Sequence, residues 1–200
     1  MLKTKHSMNT YILTLCKIAS CGSSKNYQKL ESLLSDNVIT NPALVYEVIL
    51  QLYLFNGFPA TIESLKIFKA HFPDFKPHNE QYNVNIFEKR GIINCKSVYT
   101  ANYDKLQANI NNLSPDLSNW MIIEGYGKVM GRSGLTIQER ELINVSMLCT
   151  NYSEQQLYSH IKGSYNTGSD TNIIKEVIES TMEFNNEENI SKALELLNRI

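Results

Sequence analysis

The chain is poor in the residues that force turns: 200 residues contain only 9 glycines and 5 prolines. An all-β sandwich needs far more of that punctuation, so long helices are the expectation. Charge of one sign is missing as well. Lysine and arginine total 19 against 20 aspartates and glutamates, for a formal net charge of −1. That balance gives no general attraction to nucleic acid or to an anionic membrane, and neither is expected as a partner. The four cysteines (Cys16, Cys21, Cys95, Cys149) form no CxxC pair and no zinc-like spacing. His6, His71 and His78 stand singly, without an HxxxH or carboxylate cluster, so no metal is expected. No long apolar run occurs either: the longest, Ala43 to Phe55, is interrupted by Glu47 and Gln51. It is too short to span a bilayer. The N-terminal segment breaks its apolar run with Asn9, Thr10, Thr14 and Lys17, unlike a secretory signal. A reduced, cytoplasmic setting follows as an expectation.

What is present reads as an all-α chain. Ile12, Leu15 and Ile18 recur at helical spacing up to Gly22, which is expected to stop that helix. Tyr27, Leu30, Leu33 and Leu34 line one face of a second. Asn41-Pro42 is an N-cap with proline at the first helical position. The helix it opens, through about Phe55, is apolar nearly all round and expected at the centre. Gly57-Phe58-Pro59 breaks it, and Pro59 starts another. Residues 71–101 read as irregular, with one short helix ending near Arg90-Gly91. Helical spacing resumes at Tyr103, and Ser114-Pro115 opens a helix to Val129. Thr136-x-x-Glu139 and Ser153-x-x-Gln156 match the capping box, predicting helices over 136–150 and 153–166. Gly168 suits a left-handed C-cap. A helix to about Phe184 and a last one from about 187 follow.

One succession of elements occurs twice: helix, short break, helix, turn, buried helix. Tyr46-Glu47-Val48-Ile49 matches Lys175-Glu176-Val177-Ile178, while Tyr27, Leu30 and Leu34 fall on Tyr158, Ile161 and Tyr165. On spacing alone, any two helical hairpins look this similar.

Particular residues favour a true repeat. Glu124-Gly125-Tyr126-Gly127, continuing to Arg132-Ser133-Gly134-Leu135, resembles the YG…RPGL lead-in of the carboxymuconolactone decarboxylase family. Glu139-Arg140-Glu141-Leu142 and Glu154-Gln155-Gln156-Leu157-Tyr158-Ser159-His160 resemble its E-R-E-L and E-Q-L-x-x-H segments. Asn166-Thr167-Gly168 with Ile174-Lys175-Glu176-Val177 resembles its close. In the first third, Glu47-Val48-Ile49-Leu50-Gln51 and Gly57-Phe58-Pro59-Ala60 resemble E-V-L-L-Q…Y-x-G-x-P-A. The resemblance covers residues 9–70 and 118–200. It implies an alkylhydroperoxidase D-like helical bundle, with repeats over 1–70 and 118–200 joined by a connector over 71–117.

The resemblance also implies a site. Glu141 and His160, nineteen residues apart on successive helices, would form an acid–base pair. A carboxylate that orients an imidazole suits proton transfer near neutral pH. Arg132 or Arg140 would hold substrate carboxylates, with Gln156 and the Gly57, Phe58, Pro59 turn completing the site. The expected ligand is a small carboxylated or lactone metabolite, and no cofactor is implied. Family peroxidases place a CxxC where this chain has Ser153 and Gln156, so a thiol cycle lacks its nucleophile. Lys29 stands in the first repeat where His160 stands in the second, giving one site per chain. Two-repeat chains would assemble as a homo-oligomer, a trimer or a dimer. The competing reading is a non-catalytic scaffold or binding member, with His160 merely hydrogen-bonded between helices and Ser133 replacing the family proline.

Overall fold

The computed structural model describes residues 2–36 and 41–200, with side chains from residue 10 onward. His6 and the start of the N-terminal reading therefore lie outside the described side chains. Among the described residues the chain is helical, with no strand. Helices α1 (Leu2–Ser24), α2 (Tyr27–Ser35) and α3 (Pro42–Gln51) precede α4 (Tyr53–His71), α5 (Val84–Tyr99) and α6 (Tyr103–Leu113). Then come α7 (Pro115–Trp120), a π-helical segment (Met121–Val129), α8 (Ile137–Asn151), α9 (Glu154–Asn166), α10 (Thr171–Ser180) and α11 (Glu187–Leu197).

The sequence signals hold where they are local. Asn41 caps α3 through Ala43 N–H, Ser114 caps α7, and Thr136 and Glu139 close a full capping box on α8. Gly168 has φ 106, a conformation that suits glycine. Other expectations fail for tertiary reasons. Gly22 does not stop α1. A Cβ there would run into Leu52 and stand 3.1 Å from Ser64 Oγ, so this glycine lets neighbouring helices close in. The stop comes at Lys25, with φ 58. Gly91 likewise lies inside α5. Its missing side chain admits the backbone of the π-helical segment, since a Cβ would strike the Ile122 carbonyl and stand 3.0 Å from Gly127 N. Ser153 makes no side-chain cap bond, while Gln156 faces a cavity instead. The α10 helix ends at Ser180, and the chain continues to Phe184 as a short 3-10 turn over Met182–Phe184.

The apolar stretch from Ala43 does not run straight to Phe55. Its α3 part ends at Gln51, and inside α4 the helical dihedrals fail at Gly57 (φ 69, ψ −176). The two helices are bent by 119°. Among the described residues no single helix is long and apolar enough to cross a membrane.

Two apolar clusters result. The larger joins α1, α2, α3, α4, α8, α9, α10 and α11 around side chains such as Leu15, Ile49, Ile143, Ile161 and Ile178. The smaller gathers Cys95, Val98, Ile122, Tyr126 and Met130, where α5 lies along the π-helical segment. Helix α8 is central: every residue from Arg140 to Cys149 is buried. Four of those ten are polar or charged (Arg140, Glu141, Asn144 and Ser146), and three of the four build the site.

Candidate functional site

A buried carboxylate and imidazole meet where α8 and α9 face each other. His160 Nδ1 lies 2.7 Å from Glu141 Oε2, and both residues are almost wholly buried. Close approach of the helices depends on Gly163, one turn past His160. A Cβ there would stand 2.7 Å from Glu141 Oε2 and 2.7 Å from Val98 Cγ1.

The pair ends a hydrogen-bonded chain whose direction is fixed from its far end. Arg140 can only donate. Its Nη1 donates to Gln51 Oε1 at 3.0 Å, which turns the Gln51 amide so that Nε2 donates to Asn144 Oδ1 at 2.7 Å and to Arg140 O at 2.8 Å. Asn144 must then present Nδ2 to Glu141 Oε1, at 3.3 Å. The other carboxylate oxygen, Oε2, takes the 2.7 Å contact with His160 Nδ1, so Nε2 is the ring nitrogen left for a ligand. Nε2 makes no hydrogen bond among the described residues. Phe55 stands edge-on to the imidazole at 5.4 Å, holding its plane.

His160 also lines a cavity of about 420 Å³. Its walls are largely aromatic: Tyr53 and Phe55 from α4, Tyr99 from α5, Trp120 from α7 and Tyr126 from the π-helical segment. Polar groups reach it from Glu124, Asn144, Gln156 and His160. Such widened helical turns recur at functional sites and expose carbonyls that need partners. Side chains of α5 supply them here. Arg90 Nε donates to Gly127 O, Arg90 Nη2 to Lys128 O at 3.2 Å and Asn94 Nδ2 to Tyr126 O at 3.0 Å.

The remaining sequence-predicted site residues divide. Gln156 lines the cavity. Arg132 and Arg140 do not, because both guanidinium groups converge on Glu47. Arg132 bonds that carboxylate from Nε and Nη2 at 2.9–3.1 Å, and Arg140 Nη2 does so at 3.0 Å. Burial lowers the Arg140 pKa and the Glu47 hydrogen bond opposes that, so the cation is retained by its partner. Gly57, Phe58 and Pro59 stand outside the cavity lining, whose α4 wall is the preceding Tyr53–Phe55 segment; Phe58 is exposed and touches Tyr53 edge-on.

Sequence reasoning missed the aromatic wall and the Gln51–Asn144 link. The available signal was a polar residue inside an apolar helix: Glu47 and Gln51 interrupt the longest apolar stretch, and buried polar side chains need partners. Cys149 is fully buried. Burial raises its thiol pKa, outweighing the opposing contacts of Thr181 and Asn185, so it is held as a poor nucleophile. No family model matches the chain, and no curated protein matches it.

Proposed function

We propose that the chain is a two-repeat protein of carboxymuconolactone decarboxylase-like architecture that transfers protons to and from a small lactone-like metabolite. The observation carrying this reading is the 2.7 Å Glu141–His160 bond at a cavity wall. Nε2 of His160 takes a proton from an acidic C–H or O–H of the ligand and returns it to the neighbouring carbon. Glu141 holds the imidazolium formed in between. The repeat itself is supported by burial. Val45, Val48, Ile49 and Leu52 around α3 correspond to Ile174, Val177, Ile178 and Thr181 around α10, and all eight are 0–1% exposed. Copies of the chain assemble into a homo-oligomer, as the exposed Ile93, Leu113 and Trp120 favour.

The test is deuterium wash-in. The purified chain is incubated with α-angelica lactone in deuterium oxide and exchange next to the carbonyl is followed by NMR. Exchange above the buffer rate that is lost in His160→Ala and Glu141→Gln is expected. Exchange at the buffer rate, or indifferent to both substitutions, would leave a binding member without chemistry.

A further inference from the structure

The cavity has an electrostatic character that narrows its ligand. Among the described residues no lysine or arginine lines it. The cations nearby are spent: Arg132 and Arg140 on Glu47, Arg90 on Glu80 and on the π-helical carbonyls, and Lys128 on Glu124. The charged groups at the wall or behind it are paired, Glu124 with Lys128 and Glu141 with His160, so among the described residues no free cation faces the cavity. A ligand carboxylate entering here would lose its hydration with no cation to replace it.

Two directed polar groups remain. His160 Nε2 is the ring nitrogen that Glu141 does not engage. Tyr99 is a donor: its hydroxyl oxygen accepts from Tyr126 O–H at 3.1 Å, and its own proton has no acceptor among the described residues. Desolvation raises the pKa of both phenols, so each keeps its proton. Much of the remaining wall is aromatic, from Tyr53, Phe55, Trp120 and Tyr126.

Resting on the acid–base reading above, we infer that the ligand is an uncharged, flat, enolisable ring, whose hydroxyl donates to His160 Nε2 and whose other oxygen accepts from Tyr99, and that carboxylates are rejected. Phenols are stable mimics of such an enol. The cavity volume lies within the range of small-molecule sites and accommodates a bicyclic ring.

Trp120 is the single tryptophan of the chain and lines the cavity, so its emission reports occupancy. The full chain is titrated at neutral pH with β-naphthol and with β-naphthoate, by calorimetry and by Trp120 emission. β-Naphthol is expected to bind at least tenfold more tightly than β-naphthoate, and Tyr99→Phe to weaken 2,6-dihydroxynaphthalene, which carries a second oxygen, several-fold while leaving β-naphthol, which lacks it, unchanged. The comparison within the wild-type chain needs no variant to fold. Equal or tighter binding of β-naphthoate, or binding of neither probe, overturns the inference. Preference for β-naphthoate with His160-dependent lactone exchange intact would sink the ligand class alone. Preference for β-naphthol without exchange would sink the proton-transfer reading alone.

Discussion

At the scale of single residues, the orientation of His160 is decided two helices away. An imidazole beside a carboxylate can present either nitrogen, and an asparagine can present either end of its amide. Here Arg140, a group with donors only, orients the Gln51 and Asn144 amides in turn, and the Nδ1 contact with Glu141 leaves Nε2 as the unengaged nitrogen. Gln51 is the link that cannot be replaced by shape alone. Gln51→Leu keeps most of the volume but leaves Arg140 Nη1 without its acceptor and Asn144 Oδ1 without its donor, in a fully buried setting. We expect a loss of about 3 kcal/mol in urea unfolding, the cost of orphaning buried polar groups. Any His160-dependent exchange should fall with it, although Gln51 lines no part of the cavity. Glu47 has the converse role of engaging both arginines that the sequence alone offers as substrate clamps.

At the scale of elements, glycines set how near backbones and side chains approach, and each has a different neighbour. Gly163 lets α9 lie against Glu141, whereas a Cβ on Gly125 would meet nothing within 4 Å. Gly163→Ala should therefore cost about 2 kcal/mol in thermal or urea unfolding through overpacking and should displace the Glu141 carboxylate. Gly125→Ala, its control, should stay within about 0.5 kcal/mol. Equal effects would mean that α9 shifts freely and that Gly163 does not set the spacing of the pair. The same principle explains why α5 defeats a reading by punctuation. Gly91 looks like a helix stop in one dimension, yet it is the point where α5 meets the π-helical segment, and that contact shapes the wall bearing Tyr99 and Tyr126.

At the scale of the whole molecule, α8 is enclosed by the larger cluster, while α6 has no buried residue and Ile93, Leu113, Leu117 and Trp120 stand exposed. A second copy covering part of this apolar surface is the proposed consequence. Light scattering at micromolar concentration should give the mass of a dimer or trimer, and a monomer mass would refute assembly. Much of the molecule was legible without coordinates. The all-α class, the caps at Asn41, Ser114 and Thr136 and the C-cap glycine at 168 are local matters, settled by residues a few positions apart. The pairing of Glu141 with His160 was legible too, through the resemblance to family motifs. The surroundings of that pair were not. Whether Arg140 faces a ligand or Glu47, and whether Gly91 ends a helix or admits a neighbour, depends on residues tens of positions away. Sequence by itself determined which side chains stand on which helices, because caps and periodicity act within a few turns. Only the tertiary structure decided which charges cancel and which imidazole nitrogen is left to act, because burial makes every polar group find its partner across the fold.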